Sequence, residues 1–207
     1  MARIEGVQRS QAGVLVRLVY AFGPRMVRRL AGREAQLGSG IEPMQIWAHQ
    51  PKMMMAMGRF NQAVRAGAAV DERLRYLVEL KGAQMIGCAF CVDLGSQICR
   101  HSGCSDAELL ALPRYRESEL FTEREKLALD YAVAVMRTPV EVTDELFEQM
   151  KREFSSAQLV EITALLALVN LDRFNAAFGI GAAGFSDGMV CVAPDRPAAD
   201  PALARIA

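Results

Sequence analysis

Apolar residues recur along most of the chain at the three- and four-residue spacing of amphipathic helices, and no segment alternates in the two-residue manner of a strand. This pattern predicts an all-α protein of about eight to ten helices with no sheet. The predicted helices cover 11–30, 43–49, 52–66, 71–87, a segment running from the Cys88-Ala-Phe-Cys91 run to Gly103, 105–113, 122–137, 143–154 and 155–174.

Residues with defined roles at helix ends mark several of these boundaries. Ser105 and Thr122 each precede a glutamate by three residues, which is the capping-box pattern of a helix start. Pro51 suits the first turn of a helix. Pro24 lies inside the first apolar pattern, where we expect it to interrupt the helix or to start a new turn.

Two of the predicted helices, the first (11–30) and the third (52–66), carry sets of apolar residues that must be shielded from water. In the first, the residues expected to face the core are Val14, Leu15, Leu18, Val19, Phe22 and Met26, with arginines on the solvent side. The third carries a methionine cluster, which we interpret as flexible core filling in preference to a pocket or a subunit contact: Met53, Met54, Met55, Met57 and Phe60. The Met-rich helix and the last, Leu-rich helix are hard to cover in a monomer, which predicts a homo-oligomer.

Glycine and proline placement divides the chain into three parts. We expect an N-terminal helical extension at 1–40, one compact helical domain at 41–180 and an irregular tail at 181–207. The connector at 114–120 is too short to separate two domains.

Charge and composition narrow the possible partners. The chain has 24 basic and 24 acidic residues among 207, which gives no electrostatic reason to expect nucleic acid or an anionic membrane as a partner. The first residues lack the apolar core of a signal peptide, and no run approaches the roughly 20 apolar residues of a membrane span. We therefore expect a soluble, cytoplasmic protein.

The cysteines carry the candidate chemistry. Cys88 and Cys91 form a CxxC pair, which can close a disulfide, exchange electrons with another thiol or supply two metal ligands. With two histidines and no second CxxC in the chain, redox chemistry is favoured, without a metal or another cofactor. A position in the first turn of a helix would favour the thiolate, whereas inert packing of two small residues is the structural alternative.

The remaining cysteines have weaker predictions. Five cysteines at uneven spacing argue against a secreted disulfide scaffold. Cys99 and Cys104 are five residues apart and do not share a helix face, so we expect ordinary packing unless the helix end bends. Cys191, in the tail, receives no role.

The sequence around the CxxC resembles a known family. The run 74–110, with Cys88-Ala-Phe-Cys91-Val-Asp-Leu-Gly95 at its centre, is similar to the carboxymuconolactone decarboxylase family, and in particular to its alkylhydroperoxidase D-like branch. The flanking runs 48–51, 121–125 and 137–139 extend the resemblance over roughly residues 40 to 180. It implies a helical bundle of the alkylhydroperoxidase D type and assembly into helical homo-oligomers.

The resemblance also implies roles for individual residues. Peroxidase members carry a Glu, eleven residues, the CxxC, three residues and a His; the second Cys attacks the peroxide, the first closes a disulfide, and Glu and His relay the proton. Cys91 and Cys88 match the two thiols, but the Glu position is Tyr76 and the His position is Gly95. Both relay groups are missing, since glycine has no side chain and a tyrosine with a pKa near 10 is a poor base.

Other residues are candidates for the missing relay. Glu79, three residues after Tyr76 and near the same helix face, is a candidate proton acceptor, with Tyr76 as hydrogen-bond donor to a thiolate or peroxide oxygen; an ion pair is the alternative for Glu79. Asp93 either points back toward the thiols or serves as a helix cap or salt-bridge partner. We expect His49 to be a structural residue at a helix start and His101 to lie at the surface.

The expected function is that of a thiol-dependent peroxidase or disulfide oxidoreductase of the antioxidant type. Its substrate would be a peroxide or a disulfide, and an external dithiol protein would restore the pair. Two alternatives remain open. One is a non-catalytic helical oligomer with a redox-sensitive disulfide. The other is a decarboxylase-like lyase whose cationic pocket would draw on Arg59, Arg73, Arg75 and Arg173.

Overall fold

The structure, a computed structural model, describes residues 2–32 and 41–186. These residues form ten α-helices and a 3-10 helix and contain no strand, which confirms the all-α prediction. The helices are α1 (Val14–Ala31), α2 (Glu42–Trp47), α3 (Pro51–Arg65), α4 (Glu72–Ile86), α5 (Ala89–His101), α6 (Asp106–Ala111), the 3-10 helix (Leu112–Glu117), α7 (Glu123–Met136), α8 (Asp144–Glu153), α9 (Ser156–Val169) and α10 (Asp172–Ala177).

Some predictions fall outside this range or remain untested. Cys191, residues 33–40 and the rest of the tail from 187 onward lie outside the described residues. None of the described helices combines the length and the apolar character that crossing a bilayer requires. The N-terminal segment packs against α2 and the end of α10, whereas the division at residue 40 stays a prediction.

Helix α4 is the centre of the fold. It is buried on nearly all sides and packs against α5, α7 and α9. At Gly82, an added Cβ would lie 2.9 Å from Cγ1 of Val169, so the glycine permits the close approach of α9. Because α4 leads directly into the cysteine pair, the most deeply packed helix also positions the candidate site.

The predicted helix starts are confirmed. Ser105 and Thr122 each accept a hydrogen bond from the backbone three residues on, and the glutamate at that position bonds back to the cap backbone. Ser155 forms the same arrangement with Gln158 at the start of α9. These contacts satisfy N–H groups that a helix start leaves unpaired, so local sequence suffices to set them.

The first helix differs from its prediction in two ways. It continues through Pro24, and its buried residues are Val16, Tyr20, Gly23, Val27 and Ala31. The expected core side is instead exposed, and we call this set the α1 stripe: Val14, Leu15, Leu18, Phe22 and Met26. The buried side contains the small residues that permit close packing, since an added Cβ at Gly23 would lie 2.7 Å from Sδ of Met44.

The methionine cluster is core filling only in part, through Met54 and Met55. Met54 is the only buried residue of α3, and the side chains of Met53 and Phe60 are 54% and 44% exposed. The Leu-rich helix α9, by contrast, is covered within the single chain, because seven of its residues are buried against neighbouring helices. The prediction that α9 needs a partner subunit is therefore wrong.

The last predicted helix is broken in two. Helix α9 ends at Val169, the chain turns at Asn170 and Leu171, and α10 begins at Asp172. Phe174 stacks on Trp47 with ring centroids 3.9 Å apart, and the Arg3 side chain donates to the carbonyl of Ala177 at 3.1 Å. These contacts hold α10 in its new direction.

Cys99 and Cys104 form a disulfide at the end of α5, so the expectation of ordinary packing is wrong. Helix α5 ends at His101, and Gly103 adopts a φ of 96°, which turns the chain back. A continuing helix would have kept Cys99 and Cys104 on different faces, whereas the bend brings the two sulfurs together. Both cysteines are buried.

Buried ion pairs tie α4 to its neighbours. Arg75 contacts Glu161 at 2.9 Å, and Glu161 also accepts the N–H of Ala69 at 2.8 Å. Arg73 bridges Glu108 and Glu125 at 2.5 and 2.8 Å. Two of the four arginines suggested for a cationic substrate pocket, Arg73 and Arg75, are therefore engaged with carboxylates of the chain.

Replacing Glu161 by alanine should destabilise the protein. The change leaves the Arg75 guanidinium without its carboxylate, and we expect a loss of about 3 to 5 kcal/mol in the free energy of unfolding, measured by urea denaturation. Glu148→Ala is the matched control, because the Glu148–Lys151 pair is half exposed and should contribute less than about 1 kcal/mol. Equal losses in the two variants would contradict this account.

Candidate redox site

The cysteine pair lies at the junction of α4 and α5. Helix α4 ends at Ile86, and Gly87 adopts a left-handed φ of 73° that redirects the chain. Cys88 is then the N-cap of α5, where its Sγ accepts the N–H of Cys91 at 3.2 Å. The predicted position in the first turn is thus confirmed, and the positive end of the helix favours negative charge on Cys88.

Cys88 and Cys91 form a disulfide with an S–S distance of 2.03 Å. Cys88 is fully buried, whereas Cys91 is partly exposed. A reagent from solution therefore reaches Cys91 first. The assignment of Cys91 as the attacking thiol and Cys88 as the thiol that closes the disulfide stays a prediction.

Helix α10 covers the disulfide with two polar residues. The nearest carboxylate oxygen of Asp172 and the sulfurs of Cys88 and Cys91 lie within 4.8 Å of one another. Asn175 donates from Nδ2 to Sγ of Cys91 at 3.4 Å, and its buried Oδ1 has no hydrogen-bond partner among the described residues. Because the two sulfurs are bonded to each other, these three groups are not available together as metal ligands.

Neither Asp172 nor Asn175 stands out in the sequence. Asp172 falls inside the last predicted helix and Asn175 directly follows it, 81 and 84 residues after Cys91, with no motif around them. The one available signal is their i, i+3 spacing, which places two polar side chains on the same face of a helix.

Asp172 can change its protonation state near neutral pH. Burial and, to a lesser extent, the negative charge of Glu79 raise the pKa of Asp172 from 3.8 to about 7, against the opposing charge of Arg65. No hydrogen bond from the described residues holds its carboxyl group. It is therefore an unpaired carboxyl beside two sulfurs.

Glu79 lies in the ion pair that was the alternative to its catalytic assignment. Its two oxygens accept from the Arg65 guanidinium at 3.2 and 2.9 Å. Burial raises the pKa of Glu79, while the Arg65 charge and hydrogen bonds oppose that shift. Its use as the proton acceptor stays a prediction, whereas its charge acts directly on Asp172.

Of the two family relay positions, Tyr76 lies in the core and Gly95 lies against Leu80 of α4. The Tyr76 side chain is buried, and its hydroxyl has no hydrogen-bond partner in the described part of the chain. Burial raises the pKa of Tyr76 and keeps the phenol neutral. At Gly95, an added Cβ would lie 3.2 Å from Cδ1 of Leu80, so a histidine there would require Leu80 to move.

Asp93 anchors another segment of backbone. Its carboxylate accepts the N–H groups of residues 183, 184, 185 and 186 at 2.8 to 3.0 Å and the hydroxyl of Ser186 at 2.7 Å. Burial alone would raise the pKa of Asp93, but these hydrogen bonds outweigh it and lower the pKa. Both oxygens are occupied, so its contacts are those of a structural residue, neither a helix cap nor a salt bridge.

The histidines lie in structural settings. His49 is exposed and its Nε2 contacts the carbonyl of Glu5 at 2.8 Å, which ties the N-terminal segment to the end of α2. His101 is exposed at the end of α5, as predicted.

Comparison with known proteins establishes the family. Residues 51–134 match the model of the carboxymuconolactone decarboxylase family. The chain is 36% identical to an uncharacterised protein of Escherichia coli, YnjA, over 162 residues that cover 77% of this chain and 86% of that protein. It is 31% identical over 157 residues to an uncharacterised protein of Mycobacterium tuberculosis, Rv2313c, covering 69% of this chain and 55% of that protein.

Solved structures agree with this fold. A crystal structure of the debrominase Bmp8 superposes with a TM-score of 0.71 at 22% identity, covering 89% of this chain and 94% of that one. A protein of unknown function from Agrobacterium tumefaciens, described as an AhpD antioxidant defence protein, gives 0.63 at 27% identity and covers 66% and 94%. The fold and cysteine pair define an AhpD-like helical protein. The chain belongs to the carboxymuconolactone decarboxylase family.

Replacing Asp172 by asparagine should stabilise the protein in a pH-dependent way. A carboxyl whose folded pKa exceeds its unfolded pKa destabilises the fold as it ionises, so the penalty is absent below 3.8 and complete above about 7. We expect a gain on the order of 3 kcal/mol in the free energy of unfolding near pH 8 and little change near pH 4.

Asp144→Asn is the control for this measurement. Asp144 is also the first residue of a helix, but it is exposed to solvent. It should give the same small effect at both pH values. A gain for Asp172→Asn that does not depend on pH would contradict the assignment.

Proposed function

We propose that this protein is a thiol–disulfide oxidoreductase of the antioxidant type, acting on peroxides or disulfides through Cys88 and Cys91. The observation that carries the proposal is the disulfide itself, with one buried sulfur at a helix start and one partly exposed sulfur beside it. Membership of a family with AhpD-like structures supports a possible antioxidant role.

In the oxidative half of the cycle, the Cys91 thiolate attacks the outer oxygen of a hydroperoxide. The O–O bond breaks, Cys91 becomes a sulfenic acid, and the remaining oxygen leaves as an alcohol after taking a proton. The Cys88 thiolate then attacks the Cys91 sulfur, and the hydroxyl departs as water with one further proton. The product is the observed disulfide.

In the reductive half, an external dithiol supplies two electrons. One of its thiolates attacks the accessible sulfur of Cys91, and Cys88 leaves as a thiolate. The hydrogen bond from the N–H of Cys91 to Sγ of Cys88 and the start of α5 stabilise that leaving group. The second thiol then releases Cys91. The cycle needs no metal or other cofactor, and a reduced cytoplasmic dithiol pool would sustain it.

The thiol assignments are tested by turnover of an organic hydroperoxide with dithiothreitol as the dithiol. Cys91→Ser should abolish turnover, because the attacking atom is lost. When the reduced protein is treated with the hydroperoxide in the absence of dithiothreitol, Cys88→Ser should stop at a sulfenic acid on Cys91, whereas the wild type closes the disulfide; mass spectrometry distinguishes the two products. The Cys99→Ser/Cys104→Ser double variant is the control and should retain turnover.

Two results would contradict the proposal. Turnover that survives Cys91→Ser would indicate chemistry that does not use the thiols. Reversible oxidation of Cys88 and Cys91 without any turnover of peroxide or disulfide would favour the non-catalytic oligomer with a redox-sensitive disulfide. The lyase alternative has no support from Arg73 and Arg75, which are both engaged in ion pairs.

We also propose that the protein forms a homo-oligomer through the α1 stripe. This stripe places several large apolar side chains in solvent along one helix, with Phe22 61% and Met26 59% exposed. Isolated exposed apolar residues are common on monomers, but a contiguous set of them is typical of an interface.

Phe22→Glu should therefore reduce the oligomer to a smaller species, measured by size-exclusion chromatography with light scattering. A buried, unpaired carboxylate would oppose association by several kcal/mol. Val160→Glu, at an exposed position on α9, is the control and should leave the mass unchanged. A wild-type protein that is monomeric at high concentration would contradict this proposal.

A further inference from the structure

The redox cycle requires a group that moves protons at the sulfurs, and neither family relay position supplies one. We propose that Asp172 is the acid–base residue of the Cys88–Cys91 couple and that Asn175 positions the sulfur of Cys91. This inference rests on the proposed function and names the residue that moves its protons.

The geometry favours Asp172 over the other carboxyl groups. One carboxylate oxygen of Asp172 and the two sulfurs lie within 4.8 Å of one another. The carboxylate has no hydrogen-bond partner among the described residues. Glu79 is held by two hydrogen bonds from Arg65, and Asp93 accepts five hydrogen bonds from residues 183–186. Of these three carboxyl groups, Asp172 is the one placed to give and take a proton.

Asn175 lies one turn further along α10. Its Nδ2 donates to Sγ of Cys91, an interaction that strengthens when the sulfur is a thiolate. Its buried and unpartnered Oδ1 is able to accept the hydrogen of a thiol or of a bound hydroperoxide. The two side chains therefore supply a proton carrier and a sulfur-binding amide from a single turn of helix.

Groups on several elements face the Asp172 carboxyl. Helix α4 contributes Glu79, α3 contributes Arg65, and the start of α5 contributes the two cysteines. Burial and the Glu79 charge place the pKa of Asp172 at about 7, against the opposing Arg65 charge. Both protonation states are thus populated near neutral pH, which is the requirement for an acid–base residue.

The proton balance closes in each direction. In oxidation, the Asp172 carboxylate takes the proton of the Cys91 thiol, the thiolate attacks the peroxide, and the protonated Asp172 gives that proton to the leaving alkoxide. The carboxylate then takes the proton of the Cys88 thiol, the Cys88 thiolate attacks the sulfur of the Cys91 sulfenic acid, and the hydroxide leaves with that proton as water. In reduction, Asp172 is first protonated from solvent, a dithiol thiolate attacks Cys91, the S–S bond breaks, and the electron pair passes to Cys88, which takes the proton of Asp172. The second thiol of the dithiol then displaces Cys91, whose thiolate takes the proton that this thiol releases.

The experiment measures single-turnover reduction of the Cys88–Cys91 disulfide by dithiothreitol, with thiols alkylated after an acid quench and counted by mass spectrometry. Rates between about pH 5 and pH 9 are divided by the fraction of dithiothreitol present as thiolate. In the wild-type protein this normalised rate should fall as pH rises through about 7, because the acid form of Asp172 is lost.

Asp172→Asn should be slow at every pH, about 100-fold below the wild type near pH 5.5, without an inflection near 7. Asp172→Glu should restore part of the falling profile. Asp144→Asn should leave the profile unchanged. Glu79→Gln should move the inflection to lower pH, because it removes a negative charge that raises the pKa of Asp172.

If Asp172 acted only by repelling the attacking thiolate, the expected result for Asp172→Asn would be the opposite. An ionised Asp172 that merely repelled the attacking thiolate would also give a falling wild-type profile, but Asp172→Asn would then be as fast as the wild type at low pH. That result would overturn the acid–base assignment. Absence of peroxide turnover in the wild type would instead count against the proposed function and leave this measurement interpretable.

Discussion

The candidate site depends on the position of α10 over the start of α5. Helix α9 ends at Val169, where the chain turns, and the stacking of Trp47 on Phe174 holds α10 in place. Arg3 binds carbonyl oxygens at the end of α10 through its backbone and its side chain, and a cation at a helix C-terminus also interacts favourably with the helix dipole. Without this placement the disulfide would have neither Asp172 nor Asn175 beside it.

The electrostatics of the site follow from two carboxyl groups that share one cation. Arg65 binds Glu79 with both arms of its guanidinium group, which leaves Asp172 without a direct partner. Burying a second negative charge beside the first is unfavourable, so Asp172 holds its proton to a higher pH than an exposed aspartate does. Ionisation of Asp172 lowers the stability of the fold near neutral pH. Strongly perturbed pKa values of this kind cluster at the functional sites of proteins.

Helix α5 has a disulfide at each end, and the two differ in accessibility. Cys99 and Cys104 are both buried and close a sharp turn at Gly103, so they are remote from any protein reductant. Cys91 is partly exposed, and its partner Cys88 has the electrostatic support of a helix start. Exposure and thiolate stabilisation are what distinguish a redox-active pair from a structural one.

The sequence by itself determined what depends on neighbouring residues. Capping boxes at Ser105 and Thr122, the helical periodicity and the position of Cys88 at a helix start all follow from contacts within one or two turns. The CxxC and its flanks were also enough to indicate the family, which the comparisons then established.

The tertiary structure decided which faces and which distant residues meet. The apolar residues of α1 offered two possible buried sides, and the small residues Gly23 and Ala31 selected the one that packs closely. The bend that joins Cys99 to Cys104 and the break that delivers Asp172 to the disulfide carry no strong local signal, because packing against other elements determines them. The cysteine pair could thus be located from sequence, whereas the residue placed to move its protons could be found only in the folded chain.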